Sequence, residues 1–292
     1  FSGTNREILN VNDSPEGEVE IVGVPSEDQT LSASVTLTDE DGLGMFAYQW
    51  FADETPISGA VSQTYTVGPL DIGKQIGVTV SYTDGYGVDE SVQSASTSPV
   101  SNTNDSPVGE LSIEGRNEED QTLTAVINFT DEDGFDPQTV SYQWFADDSP
   151  ISGAVGSALT LSQSVVGTQI SVSGFYTDNF GTSEVVTSSS TASVTNLNDI
   201  PTGSVSILGA AQEDQTLSVE STLADEDGID NETITYQWLS NGNPILGGDN
   251  ADLLIVESLV GSRISVTVSY VDNYGTEEAV TSEETDPVSN VN

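Results

Sequence analysis

Four acidic or amide-bearing motifs return along this chain at matched places, and every one of them offers oxygen. Asp39-Glu40-Asp41-Gly42, Asp131-Glu132-Asp133-Gly134 and Asp225-Glu226-Asp227-Gly228 each set two aspartates two residues apart on a turn. Asp84, Asp178 and Asp272 open a second turn, closed by Gly87, Gly181 and Gly275. Glu27-Asp28, Glu119-Asp120 and Glu213-Asp214 form a third set, and Asn10-Val11-Asn12-Asp13, Asn102-Thr103-Asn104-Asp105 and Asn196-Leu197-Asn198-Asp199 a fourth. Carboxylates, amide oxygens and backbone carbonyls are hard ligands that suit calcium, while the absence of His and Cys removes the ordinary zinc ligands. Asp-Glu-Asp-Gly is no EF-hand loop, because the alternating ligands and the closing glutamate are missing. Its force lies in threefold recurrence, and the competing reading is that Asp and Asn are simply good turn residues.

The composition bears on partners. Asp and Glu number 48 against 4 Lys and Arg, a formal net charge of -44. No basic surface exists to release counterions, so nucleic acid is excluded as a partner. Self-repulsion of this size costs stability unless cations offset it. Paired acids can hydrolyse glycosides, but no His, Cys or Lys constellation accompanies them, and the chain is not expected to be an enzyme. Without cysteine there is no disulfide framework, and compartment is left open on that ground. No apolar run approaches the roughly 20 residues that cross a bilayer, and Phe1-Ser2-Gly3-Thr4 lacks a signal-peptide pattern. The opening resembles the end of a repeat and the chain closes on Asn290-Val291-Asn292, so it reads as an excised piece of something longer.

The elements that position these acids follow from a repeat. Tyr48-Gln49-Trp50, Tyr142-Gln143-Trp144 and Tyr236-Gln237-Trp238 stand 94 residues apart, a domain-sized period far beyond a solenoid unit. The expected divisions are 1–11 as the tail of a preceding repeat or linker, then repeats at 12–103, 104–197 and 198–292. Within the first repeat, period-two segments such as Val19-Glu20-Ile21-Val22 and Ile76-Gly77-Val78-Thr79-Val80-Ser81-Tyr82 predict six or seven short strands, an all-β sandwich. Helix is confined to a single turn near Pro69-Leu70-Asp71-Ile72-Gly73. Trp50, Trp144 and Trp238 should fill the cores. Tyr82, Tyr176 and Tyr270 should face inward, with their hydroxyls bonded to loop backbone.

An immunoglobulin-like strand order brings the Asp39/Asp41 and Asp84 turns to the pole that meets the incoming linker, and sends Glu27-Asp28 to the opposite pole. The first junction should then gather Glu27, Asp28, Asn102, Asn104, Asp105, Asp131, Asp133 and Asp178. The second should gather Glu119, Asp120, Asn196, Asn198, Asp199, Asp225, Asp227 and Asp272. Asn12, Asp13, Asp39, Asp41 and Asp84 crown the first repeat, and Glu213 and Asn290 close the third. That much oxygen predicts several Ca2+ ions, mainly at the interdomain junctions. Without metal, such carboxylates should repel, raise one another's pKa, and let the junction open or flex.

These residues resemble the immunoglobulin-like or cadherin-like extender repeats of giant bacterial surface adhesins, including the RTX type. The resemblance rests on Glu27-Asp28-Gln29-Thr30-Leu31 and its copies, Asp-Glu-Asp-Gly, Tyr48-Gln49-Trp50-Phe51, Pro56-Ile57-Ser58-Gly59-Ala60, Val80-Ser81-Tyr82-Thr83-Asp84-Gly85-Tyr86-Gly87 and Asn-x-Asn-Asp-x-Pro, and it covers 11–292. It implies three tandem sandwiches end to end as a rod: a secreted, cell-surface stalk, stiffened by calcium, that projects distal ligand-binding domains for adhesion or biofilm formation. Its partners would be the adjacent repeats and a surface ligand reached through distal domains, with the chain itself monomeric. Cadherin linkers begin with Asp where this chain has Asn10, Asn102, Asn196 and Asn290, which implies fewer or weaker ions. The alternative is an adhesive module that holds carbohydrate or protein through loops such as Asp53-Glu54-Thr55-Pro56 or Asp147-Asp148-Ser149-Pro150. Near-identical repeats favour spacing over specialised recognition.

Overall fold

Alternation decides the strands. In the segment Ile76–Thr83 the side chains of Ile76, Val78, Val80 and Tyr82 are buried, while Thr79 and Ser81 between them are partly exposed. The structure, a computed structural model, describes residues 11–291; Phe1-Ser2-Gly3-Thr4, Asn10 and the rest of 1–10, together with Asn292, lie outside the described residues. Repeat 1 comprises β1 (Val19–Val22), β2 (Thr30–Val35), β3 (Ala47–Ala52), β4 (Thr55–Pro56), β5 (Thr64–Thr66), β6 (Ile76–Thr83) and β7 (Asp89–Gln93). These form two antiparallel sheets, ordered β1-β2-β5 and β4-β3-β6-β7.

The pattern recurs twice. Repeat 2 carries β8 (Val108–Glu114), β9 (Thr122–Thr130), β10 (Ser141–Ala146), β11 (Ser149–Pro150), β12 (Ala158–Thr160), β13 (Ile170–Thr177) and β14 (Ser183–Thr187), ordered β12-β9-β8 and β11-β10-β13-β14. Repeat 3 carries β15 (Val205–Leu208), β16 (Thr216–Ser221), β17 (Thr235–Ser240), β18 (Asn243–Pro244), β19 (Asp252–Leu254), β20 (Ile264–Val271) and β21 (Glu277–Thr281), ordered β15-β16-β19 and β18-β17-β20-β21. The chain is therefore all-β, with three similar tandem β-sandwich-like repeats. Helix among the described residues is limited to the one-turn segments Pro69–Asp71, Pro137–Thr139, Gln163–Val165 and Glu257–Leu259.

Contacts divide the chain into two compact units, and the division passes through the middle repeat. Among the described residues, one unit holds 11–110, Asn128–Val140 and Phe175–Val186; the other holds Leu111–Ile127, Ser141–Gly174 and 187–291.

Trp50, Trp144 and Trp238 are 0% exposed, and each indole N–H donates to a carbonyl twelve residues on, Ser62, Gly156 or Asn250, at 2.8 Å. The bond matters because a buried indole donor left unpaired would carry its full desolvation cost. Replacing any of the three by Ala removes the largest core side chain at a cost of about 3–5 kcal/mol.

The exposed loops named for the alternative reading are tight hairpins. Asp53 and Glu54 both adopt positive φ, 44° and 66°, and join β3 directly to β4. Asp53 Oδ1 accepts the Gln75 N–H at 2.9 Å, and Asp147 accepts that of Gln169 at 2.9 Å. In repeat 3, where the local sequence is recast, Asn241 Oδ1 accepts the Arg263 N–H at 3.0 Å and preserves the turn.

Each repeat ends by running back beside its own first turn. Isolated parallel bridges join Ser26 to Ser101, Glu118 to Thr195 and Gln212 to Ser289. The N–H groups of Glu27, Glu119 and Glu213 donate to the carbonyls of Ser101, Thr195 and Ser289 at 3.0, 2.9 and 2.9 Å. These bonds place the three glutamates at the start of the linkers.

Candidate metal centre

The two-residue spacing of the paired aspartates has a local cause. Asp131 Oδ1 accepts the N–H of Asp133 at 2.9 Å, so the first aspartate closes the turn and leaves the second to project from it. Asp41 and Asp227 repeat this with Asp39 at 2.8 Å and Asp225 at 3.0 Å. The other oxygen of the first aspartate accepts a tyrosine hydroxyl: Tyr82 to Asp39, Tyr176 to Asp131 and Tyr270 to Asp225. The tyrosine rings face inward as expected, but the hydroxyls bond a carboxylate and not loop backbone. A carboxylate is the stronger acceptor for a buried phenol. Burial first, then the bonded aspartate, pushes each phenol above its ordinary value.

The second aspartate receives the linker. Asp105 N–H donates to Asp133 Oδ2 at 2.9 Å, while Thr103 N–H donates to Glu27 Oε2 at 3.3 Å. Carboxylate oxygens of Glu27, Asp105 and Asp133 consequently lie within 4.8 Å of one another. Glu119, Asp199 and Asp227 form the matching triad, built by Asp199 N–H to Asp227 Oδ2 at 2.8 Å and Leu197 N–H to Glu119 Oε2 at 3.4 Å. Each triad lies wholly within one compact unit. Glu27, Asp133, Glu119 and Asp227 are 1%, 3%, 2% and 1% exposed. Burial and then the neighbouring carboxylates raise Asp105 and Asp199. They raise Glu27 and Glu119 as well, against the opposing N–H bonds of Thr103 and Leu197.

A third element of each pole is an aspartate locked from behind. Asp178 Oδ1 accepts the N–H groups of Phe180 and Thr182, both at 2.8 Å, and Asp272 Oδ1 those of Tyr274 and Thr276, both at 2.8 Å. Burial alone would raise these two acids, but the backbone donors outweigh it and hold them below the ordinary range. Their Oδ2 atoms are buried without a partner, as is Asp84 Oδ2, so the same oxygen is orphaned in all three repeats. A buried carboxylate oxygen without a hydrogen-bond donor could in principle coordinate a cation, and an oxygen-only donor set is of the kind that suits calcium. The aspartate turns pack closely: a Cβ on Gly134, which has φ +71°, would stand 2.4 Å from Asn179 Nδ2.

The remaining expected ligands divide. Asn102 Oδ1 is buried and unpartnered, whereas Asn196 Oδ1 accepts from Gln163 Nε2 at 3.3 Å. Asn12, Asn104 and Asn198 donate through Nδ2 to Glu90, Glu184 and Glu278 at 2.7, 2.8 and 2.9 Å. Asp28 and Asp120 are exposed, at φ 61° and 59°, beside the triads but outside them. At the first repeat Asp13 N–H donates to Asp41 Oδ2 at 2.9 Å, which reproduces the incoming half of a junction together with Asp39 and Asp84. Glu213 accepts the Val291 N–H at 3.2 Å, and Asn290 is exposed beside it.

Two groups escaped the sequence reading. Glu90, Glu184 and Glu278 recur at the 94-residue interval, a signal that was there to be used. Gln163 carried none, because Pro69 and Glu257 hold its position in the neighbouring repeats. The acids of these poles are engaged as acceptors for backbone N–H groups and hydroxyls, with no His or Cys in the chain to pair with them. Among the described residues no helix is long and apolar enough to cross a membrane.

No protein-family model matches the chain. It is 24% identical over 254 residues to the Highly immunogenic outer capsid protein of Enterobacteria phage T4, aligning 83% of this chain and spanning 65% of that relative's length. Three solved structures are similar at low superposition. One is described as a Ca2+-stabilized adhesin that helps an Antarctic bacterium reach out and bind ice (12% identity, 96% of this chain and 75% of that one, TM-score 0.30). Another comprises three N-terminal domains of the bacteriophage RB49 Highly Immunogenic Outer Capsid protein (15%, 94% and 99%, 0.27). The third is a tetra-tandem repeat in the extending region of a large adhesion protein (17%, 94% and 75%, 0.29). At these TM-scores the fold stands on its own strand pairings, and the chain is a tandem β-sandwich-like repeat protein distantly similar to a phage outer capsid protein.

Proposed function

We propose that this chain is a calcium-rigidified extender segment of a large bacterial surface adhesin, of the RTX type, secreted and held outside the cell. Its three repeats, bounded at 12–103, 104–197 and 198–292, are immunoglobulin-like, cadherin-like sandwiches that space distal ligand-binding domains away from the surface for adhesion or biofilm formation. The observation that carries this reading is the make-up of the triads. Each takes one carboxylate from the outgoing pole of a repeat, one from the linker and one from the incoming pole of the next repeat. An ion bound there would link all three, and offset the burial and then the repulsion that raise Glu27, Asp105, Glu119 and Asp199.

The ligands at the first junction would be Glu27, Asp105 and Asp133, supported by Asn102, Asp131 and Asp178; at the second, Glu119, Asp199 and Asp227, supported by Asn196, Asp225 and Asp272. Asp28, Asp120, Asn104 and Asn198 would act from the rim, and Asn12, Asp13, Asp39, Asp41, Asp84, Glu213 and Asn290 would serve the outer poles. Calcium titration calorimetry on the intact chain, paired with small-angle scattering across the same titration, tests the reading. Multi-site binding with a change in scattering dimensions is expected. Absence of specific binding, or dimensions that stay constant through saturation, would overturn it.

A further inference from the structure

We infer that the residue opening the one-turn helix beside each outgoing pole tunes that pole's response to cation, and that Gln163 makes the second junction the weaker and self-closed one. This rests on the cation reading above and deepens it. The position is held by Pro69, Gln163 and Glu257, each 94 residues from the next and each the first residue of its turn.

The three side chains do different things at the same place. Gln163 Nε2 donates to Asn196 Oδ1 at 3.3 Å and to Asp227 Oδ1 at 3.1 Å, so an amide from repeat 2 reaches past the linker to a triad member in repeat 3. Pro69 has no donor, and the counterpart of Asn196 Oδ1, Asn102 Oδ1, stays buried without a partner. Glu257 adds a further carboxyl beside Glu213, the third outgoing glutamate. The series therefore runs from no group, to a neutral donor, to a further acid.

A neutral donor inside a carboxylate cluster does part of a cation's work. It meets two acceptors, and it bridges consecutive repeats without adding charge. A cation entering the second junction must break both amide bonds or turn the amide over, since Gln163 Oε1 itself is buried and unpartnered. At the first junction no side-chain amide stands in the way, and Asn102 Oδ1 has no donor. Both poles also hold an orphaned oxygen on a buried aspartate, Asp178 at 6% exposure and Asp272 at 3%, so the difference between them is the amide.

The test uses the full chain with one junction silenced at a time: Asp133→Asn leaves the second, Asp227→Asn the first. Calcium titration calorimetry should give a second junction roughly tenfold weaker than the first, the scale of one hydrogen bond to a charged group. Gln163→Pro in the Asp133→Asn background should recover about that factor. Proline suits the site, because the preceding residue has nearly the same conformation in both repeats, φ -103° at Ser162 and φ -113° at Gly68. Gln163→Ala should shift affinity the same way, and decides the matter if tryptophan fluorescence shows that the proline variant is misfolded. Without calcium, Gln163→Ala should speed hydrogen exchange at Asp199 N–H. Equal affinities that ignore Gln163→Ala would overturn the inference and leave the cation reading standing. Weakened binding in Gln163→Ala or Gln163→Pro would show the amide to be a ligand and overturn it equally. No calcium binding by the unsubstituted chain would overturn both.

Discussion

At the first junction Glu27, Asp105 and Asp133 face one another beside an unmatched Asn102 oxygen, while at the second Glu119, Asp199 and Asp227 do so with the Gln163 amide laid between Asn196 and Asp227. The carboxylates are the same in kind, number and burial. What differs is the neutral side chain next to them: at the second junction the Gln163 amide meets two of the oxygens, and at the first Pro69 offers no such donor. An acidic cluster is thus described poorly by its acids alone.

The largest effect on this comparison should come from removing one charge at a time. Asp133→Asn is expected to weaken calcium at the first junction by about a hundredfold and leave the second unchanged, and Asp227→Asn the reverse. A titration in which either variant weakens both junctions alike would dissolve the distinction between them.

Acidity should act next, and its sign follows from burial. Glu27 and Asp105, like Glu119 and Asp199, have folded pKa values above their ordinary ones. The destabilisation they cause is absent below the ordinary carboxylate value and grows as pH rises through the folded value. Lowering the pH of metal-free protein from neutral toward about 5 should therefore increase the exchange protection of Asp105 N–H and Asp199 N–H, the first more than the second. With calcium bound the direction reverses, because protons compete for the same oxygens. Protection that falls on acidification of the metal-free chain would contradict this account.

Smaller effects separate the supports. Tyr176→Phe deletes the hydroxyl held by Asp131 and should cost repeat 2 about 1–2 kcal/mol in chemical denaturation. It should loosen calcium at the first junction severalfold and spare the second, where Tyr270 has the same duty. Asn104→Ala and Asn198→Ala remove exposed bonds to Glu184 and Glu278 and should each change stability by under about 0.5 kcal/mol. A large difference between those two would place part of the asymmetry on the rim.

How much of this could be read from the sequence depends on the kind of signal. The strands announced themselves by alternation, as in Ile76–Thr83, and the cores by a tryptophan every 94 residues, since both rest on local periodicity. The meeting of Glu27 with Asp133 needed only the strand order and the linker length. Strand alternation turns the tyrosine rings inward but carries no information on whether a hydroxyl meets backbone or carboxylate, and the acceptors are Asp39, Asp131 and Asp225. Glu184 was overlooked on an edge strand, where an exposed acid looks like ordinary solvent chemistry. Gln163 was invisible for a different reason: repeats draw the eye to what recurs, and its importance lies in being the member that does not.

The linkers return beside their own repeat before crossing to the next, as the Ser26 to Ser101 and Glu118 to Thr195 bridges record. Each repeat therefore carries its own outgoing half of a joint as part of its own fold, and offers the next one a standard socket. On the inference drawn above, a gene that gained or lost one whole repeat by recombination would keep the parts of each joint, yet would change the order in which stronger and weaker joints follow one another. Repeat order would then be a heritable setting, open to change by unequal exchange without a single new substitution.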